Sequence, residues 1–286
     1  MVDLAIVIVN YNTMAYLVDC LRSIFSQDFG FSLKVCVVDN GSDGSSEEVE
    51  KNFPQVQLIR NPANPGFSAS INIALSEIMG RYTLLLNPDT FVFAGALDSM
   101  VRCMDSHGEL GILGPRVYDG MDKSSIQLSC RSFPSWNSFL FHRYSLLYRL
   151  FPKNPWSRSY LMSGWGHDSE RQVDWISGCC MLIRREVFGR VGLLDEGFFM
   201  FSEDVDFCFR AKKAGWNVLY FPEAEVVHYI GSSKGKVKPR LIIERHKSIS
   251  RYVHKHCVKN PLLAFVADLI IFFRGGILLF FNALKP

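Results

Sequence analysis

A handful of acidic residues and one histidine stand where chemistry can be done. Asp89 follows the apolar run YTLLL in YTLLLNPDT, and an acidic residue just past a buried strand projects its carboxylate into a ligand crevice. Its bland reading is a Pro-Asp turn or a helix cap before Ala94. Asp39, in VVDNGSDGS, is placed to accept a base N–H or a ribose hydroxyl. The alternative is a loop aspartate bound to its own backbone, a role that suits Asp43 better. Glu203, Asp204 and Asp206 crowd together after the aromatic run GFFMF. In a first helical turn they favour the macrodipole. Like charges this close beside apolar neighbours also tend to raise one pKa, which suits a general base. His228 follows a strand and the turn PEAE, where a lone histidine is more often structural than a metal ligand.

Phosphate handling narrows the chemistry. A dinucleotide-binding fold would place GxGxxG after the first strand. This chain has VNYNTMAY there, and GxxxxGK[ST] is absent. Bound phosphates would need another counter-charge, and a carboxylate-held divalent metal with phosphate oxygens completing its shell supplies one. No Ser or Cys sits in a nucleophile elbow. A nucleotidyltransferase would need an activating Lys or Arg near the first strand, and Leu4–Tyr16 holds none.

These residues need elements to position them, and the first 118 residues alternate strand and helix. Leu4–Val9 reads as a strand buried on both faces. Leu17, Val18, Leu21, Ile24 and Phe25 recur at helical spacing, with Asn12 or Thr13 as cap. Lys34–Val38, Val56–Arg60, Tyr82–Leu86 and Ile112–Tyr118 read as further strands. Helices are expected from Glu47 (capped by Ser45 or Ser46), over Phe67–Met79 and over Ala94–Ser106. Such alternation implies right-handed crossovers and a parallel sheet with helices on both faces, and ligands beyond the carboxyl ends of the strands. The polar clusters Asn10–Asn12, Asp39–Asp43, Asn61–Gly66 and Asn87–Asp89 fall at those ends. Segment 133–160, crowded with aromatics and Arg, reads either as a helical insertion packed on the core or as a flap or interfacial helix. Regular structure resumes at Val173–Ile183, with a helix expected over Glu203–Ala214 and a strand over Val218–Phe221.

The 286 residues, 48% apolar and 21% charged, suffice for one large α/β domain or two small ones and exclude disorder over most of the length. No internal repeat suggests a solenoid. The net charge of +3 conceals an asymmetry: residues 234–260 carry nine Lys or Arg against Glu244 alone, so the body before them is net acidic. That profile does not fit a nucleic-acid binder; it fits a tail that meets an anionic membrane surface. Residues 261–286 hold two apolar runs, Leu262–Phe273 and Ile277–Phe281, broken by Asp268 and Arg274-Gly275-Gly276. They favour an interfacial anchor over a span or a docked terminal helix. Eight cysteines without a CxxC pair read as buried free thiols in a reducing compartment, and MVDLAIVIVNYN reads as a first strand, not a signal peptide.

Taken in order, VIVNYN, VVDNGSDGS, RNPANPGFSASINIAL, LLLNPDT, ISGCCMLIRREVF and GFFMFSEDVDFCFRAKKAGWNVLYFPEAEVVHYIGSS resemble the family 2 inverting glycosyltransferases, over about residues 3–233. The likeness is greatest to the rhamnosyltransferase-like branch that builds cell-surface polysaccharides. The resemblance implies a GT-A fold, a mostly parallel sheet flanked by helices. Residues 1–118 would form the nucleotide-sugar half, 119–233 the acceptor half and 234–286 the membrane-associating tail. It implies donor contacts from Val9, Asn10, Asn12, Asp39, Asn64, Gly66, Asn72, Asn87 and Asp89, and acceptor contacts from Trp175, Gly178 and Glu203. The acidic metal motif of the family corresponds to Asn87-Pro88-Asp89, with Asn in place of its first acid. Asp89 and His228 would then hold Mg²⁺ or Mn²⁺, and Asp204 would be the catalytic base. Trp165 and Trp175 either stack on sugar faces or belong to the core. The implied partners are dTDP-L-rhamnose, or else a UDP-hexose, and a lipid-linked or polysaccharide acceptor at the cytoplasmic face of the membrane. The competing class is a catalytically silent scaffold of the same fold. A silent copy has no chemical need for Asp39, Asp89, Asp204 and His228 together.

Overall fold

Leu4–Asn10 forms β1, and its side chains divide between two cores. Leu4, Ile6 and Ile8 face one, while Ala5, Val7 and Val9 face the other, as expected of a central strand covered on both sides. The computed structural model describes residues 2–42, 47–135, 148, 150–229 and 237–284. Asp43 and the Ser45 or Ser46 cap lie outside the described residues, as does much of segment 133–160.

The first half runs β1, α1 (Met14–Phe25), β2 (Leu33–Asp39), α2 (Glu47–Asn52), β3 (Gln57–Arg60), α3 (Phe67–Glu77), β4 (Tyr82–Leu86), β5 (Thr90–Val92), α4 (Ala96–Ser106) and β6 (Leu110–Tyr118). The second adds β7 (Cys130–Arg131), α5 (Pro155–Leu161), β8 (Arg171–Gln172), β9 (Trp175–Ile176), β10 (Cys180–Arg184), α6 (Arg185–Val191), α7 (Glu203–Lys213) and β11 (Asn217–His228). The main sheet has the order β3-β2-β1-β4-β10-β6-β11-β5, with β8 paired to β11, so both halves share it. Strands β1 to β4 are parallel, as the alternation implies. The expectation of parallel pairing does not extend across the sheet: β10 enters antiparallel between β4 and β6, and β5 is antiparallel to β11. The reason is the connection into β10, which comes from the short strand β9 and not from a crossover helix. Helices α1 and α4 pack on one face, and α3, α6 and α7 on the other.

The tail folds as α8 (Pro239–Tyr252), one π-helical turn (Val253–Cys257) and α9 (Pro261–Ala283). Asn260 caps α9 by accepting from the N–H groups of Leu262 and Leu263, with Pro261 at the first position. The two apolar runs of the tail are therefore one 23-residue helix; Arg274-Gly275-Gly276 does not break it. All eight cysteines are free and seven are buried.

Candidate active site

Three strand ends bring the metal-site candidates together. β4 ends at Leu86 and the chain turns through Asn87-Pro88-Asp89 into β5. The register of β5 on β11 sets Thr90 opposite His228, and Tyr229 N–H donates to Asp89 O at 2.9 Å. The result is that His228 Nε2 lies 3.2 Å from Asp89 Oδ1 and 3.1 Å from Asn87 Nδ2. The other ring nitrogen, Nδ1, faces Gln127 Oε1 at 3.0 Å, and Gln127 Nε2 donates to the His228 carbonyl. Gln127 Oε1 can only accept and Asn87 Nδ2 can only donate, an arrangement that suits the tautomer with its hydrogen on Nδ1 and a lone pair on Nε2 beside the Asp89 carboxylate. Two acceptors in that position need a proton or a cation between them. A carboxylate oxygen and an imidazole nitrogen fit a divalent ion such as Mn²⁺ or Mg²⁺. Among the described residues no group of three or more His, Cys, Asp or Glu converges, so these two would supply only part of a shell, with phosphate oxygens and water left to complete it.

At the end of β2 the Asp39 carboxylate is almost fully buried, accepting from Asn10 Nδ2 at 2.7 Å and from the Ser42 hydroxyl. Asn10 is itself buried, its Oδ1 taking the Thr13 hydroxyl, so it acts through Asp39 and not at an open surface. Asn12, at φ 57°, donates its N–H to the Ser42 hydroxyl, and Val9 is buried within β1. Asn64 Oδ1 accepts from Gly66 N–H and Asn40 Nδ2 and so shapes the loop before α3. Gly66, at φ 102°, allows a close approach: a Cβ there would come 2.6 Å from the Phe199 carbonyl. Asn72 requires correction as a donor contact. Its amide is spent on the loop Leu194–Glu196, donating to Leu194 O and Glu196 Oε1 and accepting from Leu194 N–H.

α7 opens at Glu203 after Phe201 and Ser202, both at positive φ (70° and 64°), a tight turn that sets Asp204 toward a cavity. Asp204 Oδ2 accepts from Gly178 N–H at 3.1 Å and Oδ1 from Val205 N–H at 2.8 Å. Burial raises the Asp204 pKa and these backbone donors offset only part of that rise. Glu203 is buried more deeply. Desolvation first, and the Asp204 charge second, push its pKa well up, and its Oε2 has no hydrogen-bond partner among the described residues. Asp206 differs from both. Burial opposes its charge, but Lys255, His256 and Arg210 outweigh it and hold its pKa low. The three acids are therefore not one cluster: Asp206 faces the tail and Asp204 the cavity.

That cavity, about 700 Å³, is lined by Asn87, His228, Gly178, Glu203 and Asp204, with Trp175 in its wall. Trp175 donates through Nε1 to Ser132 O, and the Arg131 guanidinium lies over its ring at 5.5 Å. Trp165 instead stacks on His167 at 4.3 Å and packs edge-on against Tyr220, as a core residue. Tyr160 of α5 also lines the cavity, which gives part of segment 133–160 a place beside the site. Gln127 and Arg131 carried no sequence signal, because β7 is only two residues long and neither residue stands in a motif.

Comparison with known proteins bears on this arrangement. The family model for glycosyltransferase like family 2 matches residues 3–244. The chain is 33% identical over 228 residues to N-acetylglucosaminyl-diphospho-decaprenol L-rhamnosyltransferase of Mycobacterium tuberculosis, 76% of this chain and 73% of that protein. It is 26% identical over 231 residues to rhamnosyltransferase WbbL of Escherichia coli K12, 78% and 82% of the two chains. Among solved structures, GalNAc-T7 with UDP, GalNAc and Mn²⁺ is similar at TM-score 0.64 and 15% identity, over 89% of this chain and 48% of that longer one. A mannosyltransferase of Pyrobaculum calidifontis with GDP-Man and Mn²⁺ is similar at TM-score 0.59 and 15% identity, over 99% and 73%. At such identities the likeness is one of fold, the GT-A arrangement of a central sheet flanked by helices.

Proposed function

The chain belongs to the family 2 glycosyltransferases, and on that premise we propose that it transfers L-rhamnose from dTDP-L-rhamnose, with inversion, to a lipid-linked diphosphate sugar. The observation that carries this is one cavity with two unlike walls. One is Asn87 and His228, the latter 3.2 Å from Asp89; the other includes Glu203 and Asp204, of which Asp204 accepts from Gly178 N–H and has its pKa raised by burial. The rhamnosyl donor and the lipid acceptor follow from the names of the relatives.

Each residue has a separable task. Asp39, braced by Asn10 and Ser42, is aimed to accept from the donor's base or ribose. Asp89 and His228 would hold Mg²⁺ or Mn²⁺, which when bound neutralises the diphosphate leaving group. Asp204 takes the proton from an acceptor hydroxyl as that oxygen bonds to the anomeric carbon. The bond from that carbon to the donor diphosphate breaks on the opposite face, and the nucleoside diphosphate departs with the electron pair. One displacement inverts the configuration, and no enzyme nucleophile is required. Trp175 and Gly178 form the acceptor side, Gly178 by fixing the Asp204 carboxylate. The division of labour is residues 1–118 for the donor and 119–233 for the acceptor, at the cytoplasmic face of the membrane.

The test is transfer from dTDP-L-rhamnose to an N-acetylglucosaminyl-diphospho-lipid, with Mn²⁺, with Mg²⁺ and with EDTA. The expected result is metal-dependent transfer giving an inverted anomeric linkage by NMR. Full activity in EDTA sinks the metal role, retention of configuration sinks the single displacement, and a preference for a UDP-hexose replaces the donor.

A further inference from the structure

The turn that delivers Asp204 is not held by the transferase body alone. Its two ends are fixed within the body: Phe67 N–H donates to the Phe199 carbonyl at 2.6 Å, and Asp206 N–H to the Ser202 carbonyl at 2.9 Å. Between these ends the chain passes through Phe201 and Ser202, both at positive φ. Residues that carry a Cβ keep that conformation only where their surroundings over-determine it. The tail supplies one such constraint. Ser248 of α8 is 3% exposed, and its hydroxyl donates to the Met200 carbonyl at 2.7 Å. A peptide unit is planar, so this carbonyl cannot rotate without changing ψ of Met200 and φ of Phe201 together. Arg240 and Arg245 of α8 flank the same bond, lying over the Phe199 and Phe201 rings at 4.7 and 4.5 Å.

The tail also grips the segment on both sides of the turn. Asp195 pairs with Arg251 at 2.7 Å and with Lys255 at 2.6 Å, and Asp206 pairs with Lys255 and His256. Ile249 and Tyr252 of α8 line the same cavity as Met200 and Asp204. The ion pairs seat the tail against the segment, and the Ser248 bond acts on the peptide where the left-handed turn begins. We propose that Ser248 is a positioning residue for the base. Its hydroxyl holds the Met200–Phe201 peptide against a flip, and so keeps Asp204 where Gly178 N–H meets its carboxylate. This assignment rests on the reading of Asp204 as the catalytic base, and it gives the tail a task in catalysis besides anchoring.

The test follows transfer to the N-acetylglucosaminyl-diphospho-lipid by the full chain in a neutral detergent. Ser248→Ala should lower kcat by about 10- to 100-fold, since a misplacement of about 1 Å at a reacting group can cost about that much. KM for the donor should stay within about twofold of wild type. Ser248→Thr, which restores a hydroxyl, should regain kcat over the Ala variant. In an Asp204→Asn background the Ser248→Ala change should cost less than about twofold, because the base it positions is already gone. Hydrogen exchange in Ser248→Ala should quicken over residues 199–206 and stay unchanged over β1 and β4. Wild-type kcat in Ser248→Ala, a rise in donor KM, no gain in Ser248→Thr, or an equal loss in the Asp204→Asn background makes Ser248 an ordinary packing residue and overturns the assignment. Unchanged exchange over 199–206 overturns it as well. An Asp204→Asn chain that keeps more than half of wild-type turnover overturns the reading of Asp204 itself, a result separate from any behaviour of the Ser248 variants.

Discussion

Asp204 and Glu203 are adjacent carboxyls with different surroundings, and the difference predicts different variants. Asp204 has two backbone donors and an open cavity; Glu203 has burial and a charged neighbour. Asp204→Asn keeps the shape and one of the two accepted hydrogen bonds but loses basicity, and should reduce kcat by about 10²–10⁴-fold while donor affinity, read by calorimetry, holds. A variant with more than half the wild-type turnover would remove Asp204 as the base. Glu203 tests the other side of the same physics. Its folded pKa is raised, so the stability its neutral form supplies is present in acid and is lost as pH rises through that raised value. Glu203→Gln copies the neutral acid and avoids that loss. Its Tm advantage over wild type should therefore grow as pH rises above the ordinary glutamate range in scanning calorimetry. A flat or shrinking difference would mean that Glu203 folds as a carboxylate.

Elements decide which of these acids can act, and the sequence displays elements unevenly. β1, β4 and α7 are legible because long apolar runs and an acidic helix start leave clear periodicity. β5 is not: three residues after a Pro-Asp turn carry no period, yet their pairing with β11 is what joins Asp89 to His228. The antiparallel entry of β10 is equally silent, since CMLIR reads the same in either direction. Asn72 misleads for a related reason: a polar residue on an amphipathic helix looks available until a distant loop, here Leu194 to Glu196, takes its bonds. Asp206 shows the same effect between elements. In sequence it belongs with Asp204, but in the fold it ties α7 to the π-helical turn after α8 through Lys255 and His256, and to Arg210 within α7. Removing one partner of a buried ionic cluster costs about 3–5 kcal/mol. Asp206→Ala should lose that much in urea unfolding and should open residues 253–260 to limited proteolysis, with loss of activity following from displacement of α8. Wild-type stability in this variant would show that the tail docks without Asp206.

The whole molecule combines a catalytic body with a helix long enough to cross a bilayer, and its packing indicates how that helix lies. A 23-residue helix is about 35 Å long, against a hydrocarbon core of about 30 Å, so length alone permits a span. However, α9 is held to the preceding tail along much of its length. Asp268 bonds Ser250 and His254, Gly275 abuts His246, and Asn282 exchanges two hydrogen bonds with the Val237 backbone. A spanning α9 would carry into the membrane the helix it is stitched to, with Arg240, Lys247 and Arg251, at about 2.5–3.5 kcal/mol for each charge near the centre. Lying in the interface avoids that cost. In that arrangement the outward Leu262, Phe265, Leu269, Phe273 and Phe280 would enter the headgroup boundary, and basic residues of α8 would meet anionic lipid. A tag appended after residue 286 should be cleaved from the same side of inverted membrane vesicles as a tag before residue 1. Deletion of 261–286 should lower co-sedimentation with anionic liposomes, and added salt should weaken what the basic helix alone retains. Protection of the C-terminal tag from protease on the cytoplasmic side would instead establish a span. It would require the Asp268, Gly275 and Asn282 contacts to part on membrane insertion.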